Sequence, residues 1–477
     1  MLMSKSLARA ILFSLVASTA ACGESTVEND LPLEHVASSR HALSHDWSAS
    51  FSSNDPSAWP EDIAIDGSGH VITVGQYGDS INFGGGALSE STWYGTFIAA
   101  FGSAGGHLWS KSFGSAWIMS VATDSSGNVN VAGVITDDVD FGGGTVLNGS
   151  AGGYGLFVAQ FDASGNHVWS RRFGSTTQFV YIEPASIAVD SSDNILVAGI
   201  YQGDLAFGSD SSPSSSYGGF LAKLEEDGDP IFGRFFAAAN SSTYVSVNAV
   251  ATDPNDDSVA IAGDLTGTTD FGNGSLTSYN SGSSTDVFVA KFDDDGDPSW
   301  SKSYGTTTAH CADVVIDSVG NIDITGTFDD AFPFGSVTAY GWLGSLLVAQ
   351  LESDGTEAWI QSELYLPSGS GIAVDPDDNV IIVGSYYGTP TFGGGYLPSA
   401  GGSDVFVAQY SAANLSYLDA DNFGDSGSQL GLGIAVDSSG TAAITGAFDS
   451  SVNFGGSTLT ADPNGQSHIF IAQLSLP

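Results

Sequence analysis

The sequence predicts an all-β protein folded as a seven-bladed β-propeller with four antiparallel strands in each blade. The first observation is a repeat of about 62 residues, marked by a short apolar run that ends in Asp. This Asp recurs along the chain at Asp66, Asp124, Asp190, Asp253, Asp317, Asp375 and Asp437. The second observation is that Gly, Ser, Asn and Asp separate the apolar runs, which is typical of hairpin turns.

Each repeat contains four segments with the character of short strands, which we name a, b, c and d in chain order. Strand a is the run that ends in Asp, as at 63–66, and strand b is the next apolar run, as at 71–75. Strand c is a run such as 157–161, and strand d begins with an aromatic residue, as at Trp169. Segments that are apolar on both alternating faces, such as 381–383, belong in sheets that are covered on both sides.

The order of the segments at the two ends of the chain predicts a closed ring. The chain opens with a lone d segment at Trp47 and ends just after a c segment at 469–474. We therefore expect the N-terminal strand to join the last blade as its outermost strand. Closure removes the exposed sheet edges that a linear repeat protein must cap. The predicted propeller spans residues 46–477, and we expect a monomer.

The composition is strongly acidic, and this narrows the range of partners. The chain of 477 residues carries 10 Lys and Arg against 54 Asp and Glu, a formal net charge of −44. Such a charge repels phosphate backbones and anionic lipid headgroups, which excludes nucleic-acid binding. The hydrophobic fraction of 42% is enough for a large core. With only Cys22 and Cys311 present, stability must come from packing rather than from a disulfide framework.

The N-terminal segment has the features of a bacterial export signal. Lys5 and Arg9 form a basic region, and a short run of apolar and small residues precedes Cys22. We predict a signal peptide at 1–21 and lipidation of Cys22, with cleavage and no lipidation as the alternative. Residues 22–45 are polar and aperiodic, so we expect a flexible tether. The expected location is the outer membrane or cell surface, or the secreted medium, with the lipid anchor as the only membrane contact.

Residues that recur in every repeat are expected to serve the scaffold. The repeated Asp can accept backbone N–H bonds and fix the turn after strand a. The aromatic residue at the start of strand d is expected to pack between neighbouring blades. The b–c and d–a connections emerge on one face of a propeller, which we call the loop face. A Phe-Gly pair recurs in the long b–c connections, where its Phe should anchor the connection: Phe83, Phe141, Phe207, Phe271, Phe334, Phe392 and Phe454.

The repeat resembles the bacterial β-propeller repeat family known as SBBP. The resemblance rests on segments such as Asp-Ser-Ser-Gly-Asn-Val-Asn-Val-Ala-Gly at 124–133 and Asp-Val-Phe-Val-Ala-Lys-Phe-Asp at 286–293. It covers the chain from Asp46 to the end. The resemblance implies a propeller fold and an exported bacterial protein, and it implies no particular activity.

Positions that break the repeat on the loop face are the candidate binding residues. We select five aromatic residues there: Trp93, Trp117, Tyr181, Tyr244 and Trp342. Aromatic rings beside acidic groups can stack on sugar rings or act as hot spots for a protein partner. We therefore expect a non-catalytic interaction platform that binds a protein or a polysaccharide. We expect no cofactor, and we assign no catalytic residue and no metal ligand.

Three alternatives stay open. The chain could be a structural spacer without a ligand. It could be a lyase or hydrolase acting on polysaccharides, with the non-repeated acids Glu183 and Glu363 as suspects for the acid–base pair. Calcium could bind acidic c–d turns such as 293–297, although their spacing does not match an EF-hand loop.

Adjacent strand residues point to opposite sides, so at His310 and Cys311 we expect a packed Cys rather than a catalytic pair.

Overall fold

The computed structural model describes residues 43–53, 58–149, 153–176, 178–213, 217–239, 243–279, 284–342, 344–363, 368–462 and 467–476. The predicted signal peptide, Cys22 and nearly all of the predicted tether lie outside these ranges. Within them the chain forms seven four-stranded antiparallel sheets, and each innermost strand contacts the next around a ring. The prediction of a seven-bladed β-propeller is confirmed. No helix among the described residues is long and apolar enough to span a membrane.

Blades 1 to 7 are numbered by their innermost strands, in chain order. Strands a are Trp59–Ile65, Ala116–Thr123, Tyr181–Val189, Tyr244–Thr252, Ala309–Ile316, Ser368–Val374 and Gln429–Val436. Strands b are Val71–Asn82, Val129–Ile135, Ile195–Gln202, Val259–Thr266, Ile322–Phe328, Val380–Tyr386 and Thr441–Phe448. Strands c are Ala87–Phe101, Gly155–Phe161, Tyr217–Leu224, Asp286–Phe292, Ser345–Leu351, Asp404–Tyr410 and His468–Ser475. The outermost strands d are His107–Gly114, His167–Phe173, Pro230–Ala237, Pro298–Tyr304, Glu357–Glu363, Tyr417–Phe423 and, for blade 7, Ser44–Phe51.

The N-terminal strand closes the ring as predicted. Ser44–Phe51 pairs antiparallel with His468–Ser475. In this register Ser44 lies opposite Ser475, and Phe51 lies opposite Ile469. The indole Nε1 of Trp47 donates a hydrogen bond to the side chain of Gln473. The last blade is therefore built from both ends of the propeller, and its c strand has no exposed edge.

The long b–c connections fold into small hairpins in five blades. These pair Val139–Asp140 with Val146–Leu147, Ala206–Phe207 with Asp210–Ser211, Thr268–Asp270 with Ser275–Thr277, Ala331–Phe334 with Val337–Tyr340, and Ser451–Val452 with Leu459–Thr460. The predicted Phe anchors are all buried beside them. The ring of Phe141, for example, lies 4.6 Å from that of Phe157 and 5.0 Å from that of Phe113 in the neighbouring blade. Each connection thus fills the gap between two blades where they diverge.

The aromatic residue of strand d packs against the c–d turn of the next blade. Trp109 Nε1 donates to Ala163 O at 3.0 Å, and Trp169 Nε1 donates to Glu226 O at 2.8 Å. The ring of Trp109 lies directly against Gly165, which has a φ of 79°. This contact recurs around the propeller, so the predicted wedge between blades is confirmed.

The repeated Asp at the end of strand a holds the following turn. Asp124 Oδ1 accepts the backbone N–H groups of Ser126 at 3.0 Å and Asn128 at 2.8 Å. The same pair of bonds is made by Asp66, Asp190, Asp317, Asp375 and Asp437. These carboxylates therefore fix backbone geometry, as the sequence predicts.

Each innermost strand carries a β-bulge, which the sequence analysis did not predict. The register between strands a and b shifts by one residue in all seven blades. A bulge turns an extra residue out of the ladder and re-aims its side chain. The bulged residues surround the central channel: Glu61, Met119, Ala185, Asn248, Ala312, Ser370 and Leu432.

Candidate binding site at the mouth of the central channel

The central channel opens on the loop face into a cavity of about 450 Å³. Its walls come from the first residues of strand a in blades 3 to 6, together with the ends of neighbouring b and c strands. Glu183, Tyr244, Asp264 and His310 are among its lining residues. The ring of bulged residues narrows the channel below, where the next cavity measures only about 70 Å³. The channel is therefore wider at its mouth than at the ring of bulged residues.

A group of aromatic rings lies beside Glu183 and Tyr244, and Tyr244 is the member of the group that lines the cavity. The ring of Trp117 lies 5.5 Å from that of Tyr154, which lies 5.4 Å from that of Tyr181 in an edge-on arrangement. Further round, Tyr217 and Tyr244 stack with their centroids 5.7 Å apart. The five residues come from blades 2, 3 and 4 and are each partly buried. We call them the aromatic wall.

Glu183 stands between the two groups of rings. It lines the cavity, and its carboxylate accepts the hydroxyl hydrogen of Tyr181. Burial raises the pKa of the Tyr181 hydroxyl, and the bond to Glu183 raises it further. Burial also raises the pKa of Tyr217 and of Tyr244. These three phenols therefore stay neutral, so the rings add no negative charge of their own to this side of the cavity.

A histidine and an aspartate face each other across the join between blades 4 and 5. His310 Nδ1 lies 3.1 Å from Asp264 Oδ2, and the backbone N–H of Cys311 donates to Asp264 Oδ1 at 3.0 Å. The hydrogen bond that the imidazole of His310 donates to Asp264 raises the pKa of His310. Cys311 turns the other way, into the apolar core between the two blades, and is 2% exposed. The expected packed Cys is confirmed, and the two side chains do not form a Cys–His pair.

Basic side chains are kept away from the cavity. In the described part of the chain, Lys and Arg occur only in strands c and d, at Lys111, Arg171, Arg172, Lys223, Arg234, Lys291 and Lys302. Most of their charged ends meet acids on the a–b and c–d turns, which form the opposite face of the propeller. Lys223 Nζ, for example, lies 2.9 Å from Asp190 Oδ2, and Arg171 bonds Asp229 at 2.6 Å. No Lys or Arg lines the described cavity, whose only basic side chain is His310.

The structure brings together three of the five predicted binding residues. Trp117, Tyr181 and Tyr244 belong to the aromatic wall. Trp342 lies apart from the cavity, before strand c of blade 5, and is 77% exposed. The side chain of Trp93 falls outside the described residues.

Sequence reasoning missed Tyr154, Tyr217 and Asp264. A signal for the tyrosines is present, since a Tyr-Gly pair stands at the start of strand c in blades 2 and 3 and within the longer strand c of blade 1, but not in blade 4, 6 or 7. A signal for Asp264 is present too. It follows the Gly that recurs within strand b, and the other blades carry an uncharged residue at that position. The scaffold does not require an acidic residue at a position that is uncharged in the other blades, so such a residue indicates a functional site.

The two acids suspected of catalysis are not brought together. Glu183 lines the channel mouth in the innermost strand of blade 3. Glu363 ends the outermost strand of blade 5, is 8% exposed, and accepts a hydrogen bond from Thr391 Oγ1 at 3.2 Å. Acid–base cleavage of a glycosidic bond needs two carboxyl groups that flank one bond. The pair predicted for a hydrolase is therefore wrong in its geometry.

One group of acids on the opposite face has the spacing of a cation site. The carboxylate oxygens of Asp190, Asp257 and Asp294 lie within 4.8 Å of one another. The buried ammonium group of Lys223 contacts both Asp190 and Asp294, so a protein cation already balances this cluster. In the turn 293–297, Asp293 Oδ1 accepts the backbone N–H of Asp297 at 2.7 Å, as an ordinary hairpin turn requires. Calcium binding at these turns stays a prediction.

The comparisons with known proteins concern the fold. No protein family and no characterised protein matches the sequence. Similar solved structures include the Dos1 propeller, with 9% identity, a TM-score of 0.44, and coverage of 90% of this chain and 95% of that one. They also include the Pan2 WD40 domain of Neurospora crassa, with 10% identity, a TM-score of 0.43, and coverage of 88% and 97%. A chain of the mitotic checkpoint complex shows 8% identity, a TM-score of 0.47, and coverage of 96% and 99%.

Proposed function

We propose that this protein is an exported β-propeller that binds a protein or polysaccharide partner on its loop face and catalyses no reaction. The observation that carries the proposal is the placement of exposed aromatic residues. Tyr94, Phe179, Tyr279, Tyr340 and Trp342 are each about half exposed or more. Four of the five lie in a b–c or d–a connection, and Tyr94 lies in the long b–c hairpin of blade 1, where it pairs with Gly78. Exposed aromatic side chains on one face are typical of an interaction surface.

The opposite face offers a different surface. Its exposed large apolar residues are aliphatic: Leu108, Val168, Ile231, Val319 and Leu418. Four of them are the second residue of a strand d and so follow from the repeat itself. Aromatic residues dominate binding energy at interfaces, whereas scattered aliphatic residues are normal on any protein surface. The two faces thus differ in the property that matters for binding.

The export part of the proposal rests on the sequence. The basic and apolar segment at 1–21, followed by Cys22, supports removal of a signal peptide and lipid attachment at that Cys. The resemblance to the SBBP repeat supports the same location. A high negative charge keeps such a domain soluble and repels the anionic surface to which it is tethered.

The proposal is tested by capture of partners on the immobilised mature chain, using the envelope and matrix extract of the source cells. We expect a protein or glycan to bind saturably, and the double variant Tyr340→Ala/Trp342→Ala to lose most of this binding. The matched control is Leu108→Ala/Val168→Ala, which removes two exposed apolar side chains from the opposite face. Equal loss in both variants, or no saturable capture at all, would contradict the proposal and favour a structural spacer.

A further inference from the structure

We infer that the cavity at the channel mouth binds an alkylammonium group. This inference deepens the proposed loop-face function and rests on it, because it names the chemical class that this part of the face recognises. The group could come from a free polyamine or from a lysine side chain of a basic partner. Both present the same chemistry to the cavity: a positive head on a flexible apolar stem.

The charges that line the cavity favour a cation. The cavity is lined by two carboxylates, Glu183 and Asp264, and by no Lys or Arg. Arg172, whose guanidinium donates to Ser175 O at 2.9 Å, is directed to the outer end of blade 2 and away from the channel. The remaining basic side chains serve the outer strands and the opposite face. In a chain with a net charge of −44, this arrangement favours a negative potential at the mouth, which the one basic side chain of the lining, His310, offsets beside Asp264.

The aromatic wall gives the cavity a ring that can attract an ammonium group. Ammonium groups are attracted to the faces of neutral aromatic rings, and the attraction grows when water is partly excluded. Tyr244 lines the cavity, and its ring is held in place by stacking on Tyr217. Tyr181 fixes the Glu183 carboxylate with its hydroxyl group. A ring face and an oriented carboxylate therefore border the same space.

The shape and lining of the cavity suit an alkyl chain. About 450 Å³ is enough for a chain of several methylene groups with its head, and the channel is narrower below, at the bulged residues. Ala185, Ile200 and Val247 supply an apolar side to the lining. Methylene groups can pack on this side while the charged end meets Glu183. A small rigid metal ion would use none of these apolar contacts.

The test is calorimetric titration of the full mature chain with 1,8-diaminooctane, and with 1,8-octanediol as the neutral ligand of matched length. We expect saturable binding of the diamine only, and at least about tenfold weaker binding in Glu183→Gln and in Tyr244→Leu, since a bond to a charged group is lost in the first. The matched control is Glu226→Gln, an exposed acid on a c–d turn of the opposite face. Circular dichroism melting of each variant verifies that it is folded.

Two results would overturn the inference. One is equal binding of the diol and the diamine, which would mean that the apolar stem alone is recognised. The other is equal weakening by Glu183→Gln and Glu226→Gln, which would mean that the diamine responds to overall charge. Spermidine and a short lysine peptide, with a norleucine peptide as its control, then distinguish a free polyamine from a partner's side chain.

The same variants separate this inference from the proposed function. If extract capture is lost in Tyr340→Ala/Trp342→Ala while the diamine does not bind, the loop face is an interaction surface and the ammonium assignment is wrong. If the diamine binds at Glu183 and no partner is captured, the cavity assignment stands and the platform proposal is wrong. If neither is observed, both are wrong.

Discussion

At the scale of single residues, Asp323 is the most unusual group in the propeller. It lies fully buried in strand b of blade 5, where its two carboxylate oxygens face Gln350 Nε2 at 3.1 and 3.3 Å. Burial raises its pKa well above the ordinary value, and the nearby Asp317 and Asp378 raise it further. The folded protein therefore keeps a proton that the unfolded chain releases above about pH 4. Because the unfolded state binds fewer protons, this residue makes stability fall as pH rises.

We expect the Asp323→Asn protein to be more stable than the parent protein at pH 8. The gain should be about 1.4 kcal/mol for each unit by which burial raises the pKa of Asp323 above its value in the unfolded chain, counted up to pH 8. The gain should shrink toward pH 4, because the neutral Asp resembles Asn. Denaturant unfolding at pH 4, 6 and 8 measures it. The control is Asp256→Asn, since hydrogen bonding by Ser258, whose backbone N–H donates to Asp256 Oδ1 at 3.0 Å, lowers the pKa of Asp256, and the stabilising effect of this carboxylate should be lost in acid. A gain for Asp323→Asn that does not depend on pH would contradict the argument.

The sequence shows Asp323 only as a charged residue within an apolar strand. Its burial follows from the propeller, where strands b and c are covered on both faces. Its partner Gln350 lies on the neighbouring strand c, and that pairing depends on the register of the blade. The pH response of a residue of this kind needs the structure, whereas the turn role of the repeated Asp followed from its spacing alone.

At the scale of elements, the contact between strand d and the next c–d turn holds neighbouring blades together. Gly165→Ala places a Cβ within 2.5 Å of the Trp109 ring, at a residue with a φ of 79°. Gly144→Ala is the matched control, because Gly144 has a φ of 73° and an added Cβ meets nothing within 4 Å. We expect Gly144→Ala to cost about 1 kcal/mol from backbone strain alone, and Gly165→Ala to cost roughly 1–3 kcal/mol more from overpacking.

Urea unfolding of both variants gives this difference directly. If the two variants lose the same free energy of unfolding, the interblade contact carries no weight and the recurring Gly serves only the turn. A larger loss of unfolding free energy for Gly165→Ala shows that the aromatic ring of one blade requires Gly in the c–d turn of the next blade. The two motifs are then a single feature of the repeat.

The elements themselves were largely readable from the sequence, because strands, turns and Phe anchors each recur. The β-bulges were not, although they decide which residues face the channel. A bulge places two residues of strand a opposite one residue of strand b but leaves the apolar pattern of both strands unchanged. The periodicity of the sequence therefore does not reveal it. The sequence revealed only part of the aromatic wall. Its members in strand a, Trp117, Tyr181 and Tyr244, were selected as repeat-breaking residues, whereas Tyr154 and Tyr217 beside strand c were not.

At the scale of the whole molecule, ring closure was predicted from the order of segments alone. The lone d segment at Trp47 could complete a four-stranded blade only by pairing with the last c segment. The structure places Ser44–Phe51 on the edge of His468–Ser475, with Trp47 bonded to Gln473. The distribution of charge between the two faces was not predicted, because it depends on which end of each strand a side chain reaches.

Closure by the N-terminal strand makes a prediction about the molecule as a whole. A chain that begins at residue 54 lacks this strand and leaves the backbone edge of His468–Ser475 exposed, together with the apolar side chains that Trp47 and Phe51 covered. We expect a lower thermal midpoint and self-association that increases with concentration, because an open edge pairs with other chains. Thermal melts and size-exclusion chromatography with light scattering measure both effects.

The control is a chain that begins at residue 43, which keeps the strand and should behave as the parent protein does. A synthetic peptide of residues 43–53 provides the decisive arm. Added to the shortened chain, it should occupy the vacant edge, raise the thermal midpoint and suppress self-association, whereas a peptide with Trp47→Ala should do so more weakly. A shortened chain that stays monomeric with an unchanged midpoint would mean that six complete blades and three strands hold the ring without the N-terminal strand.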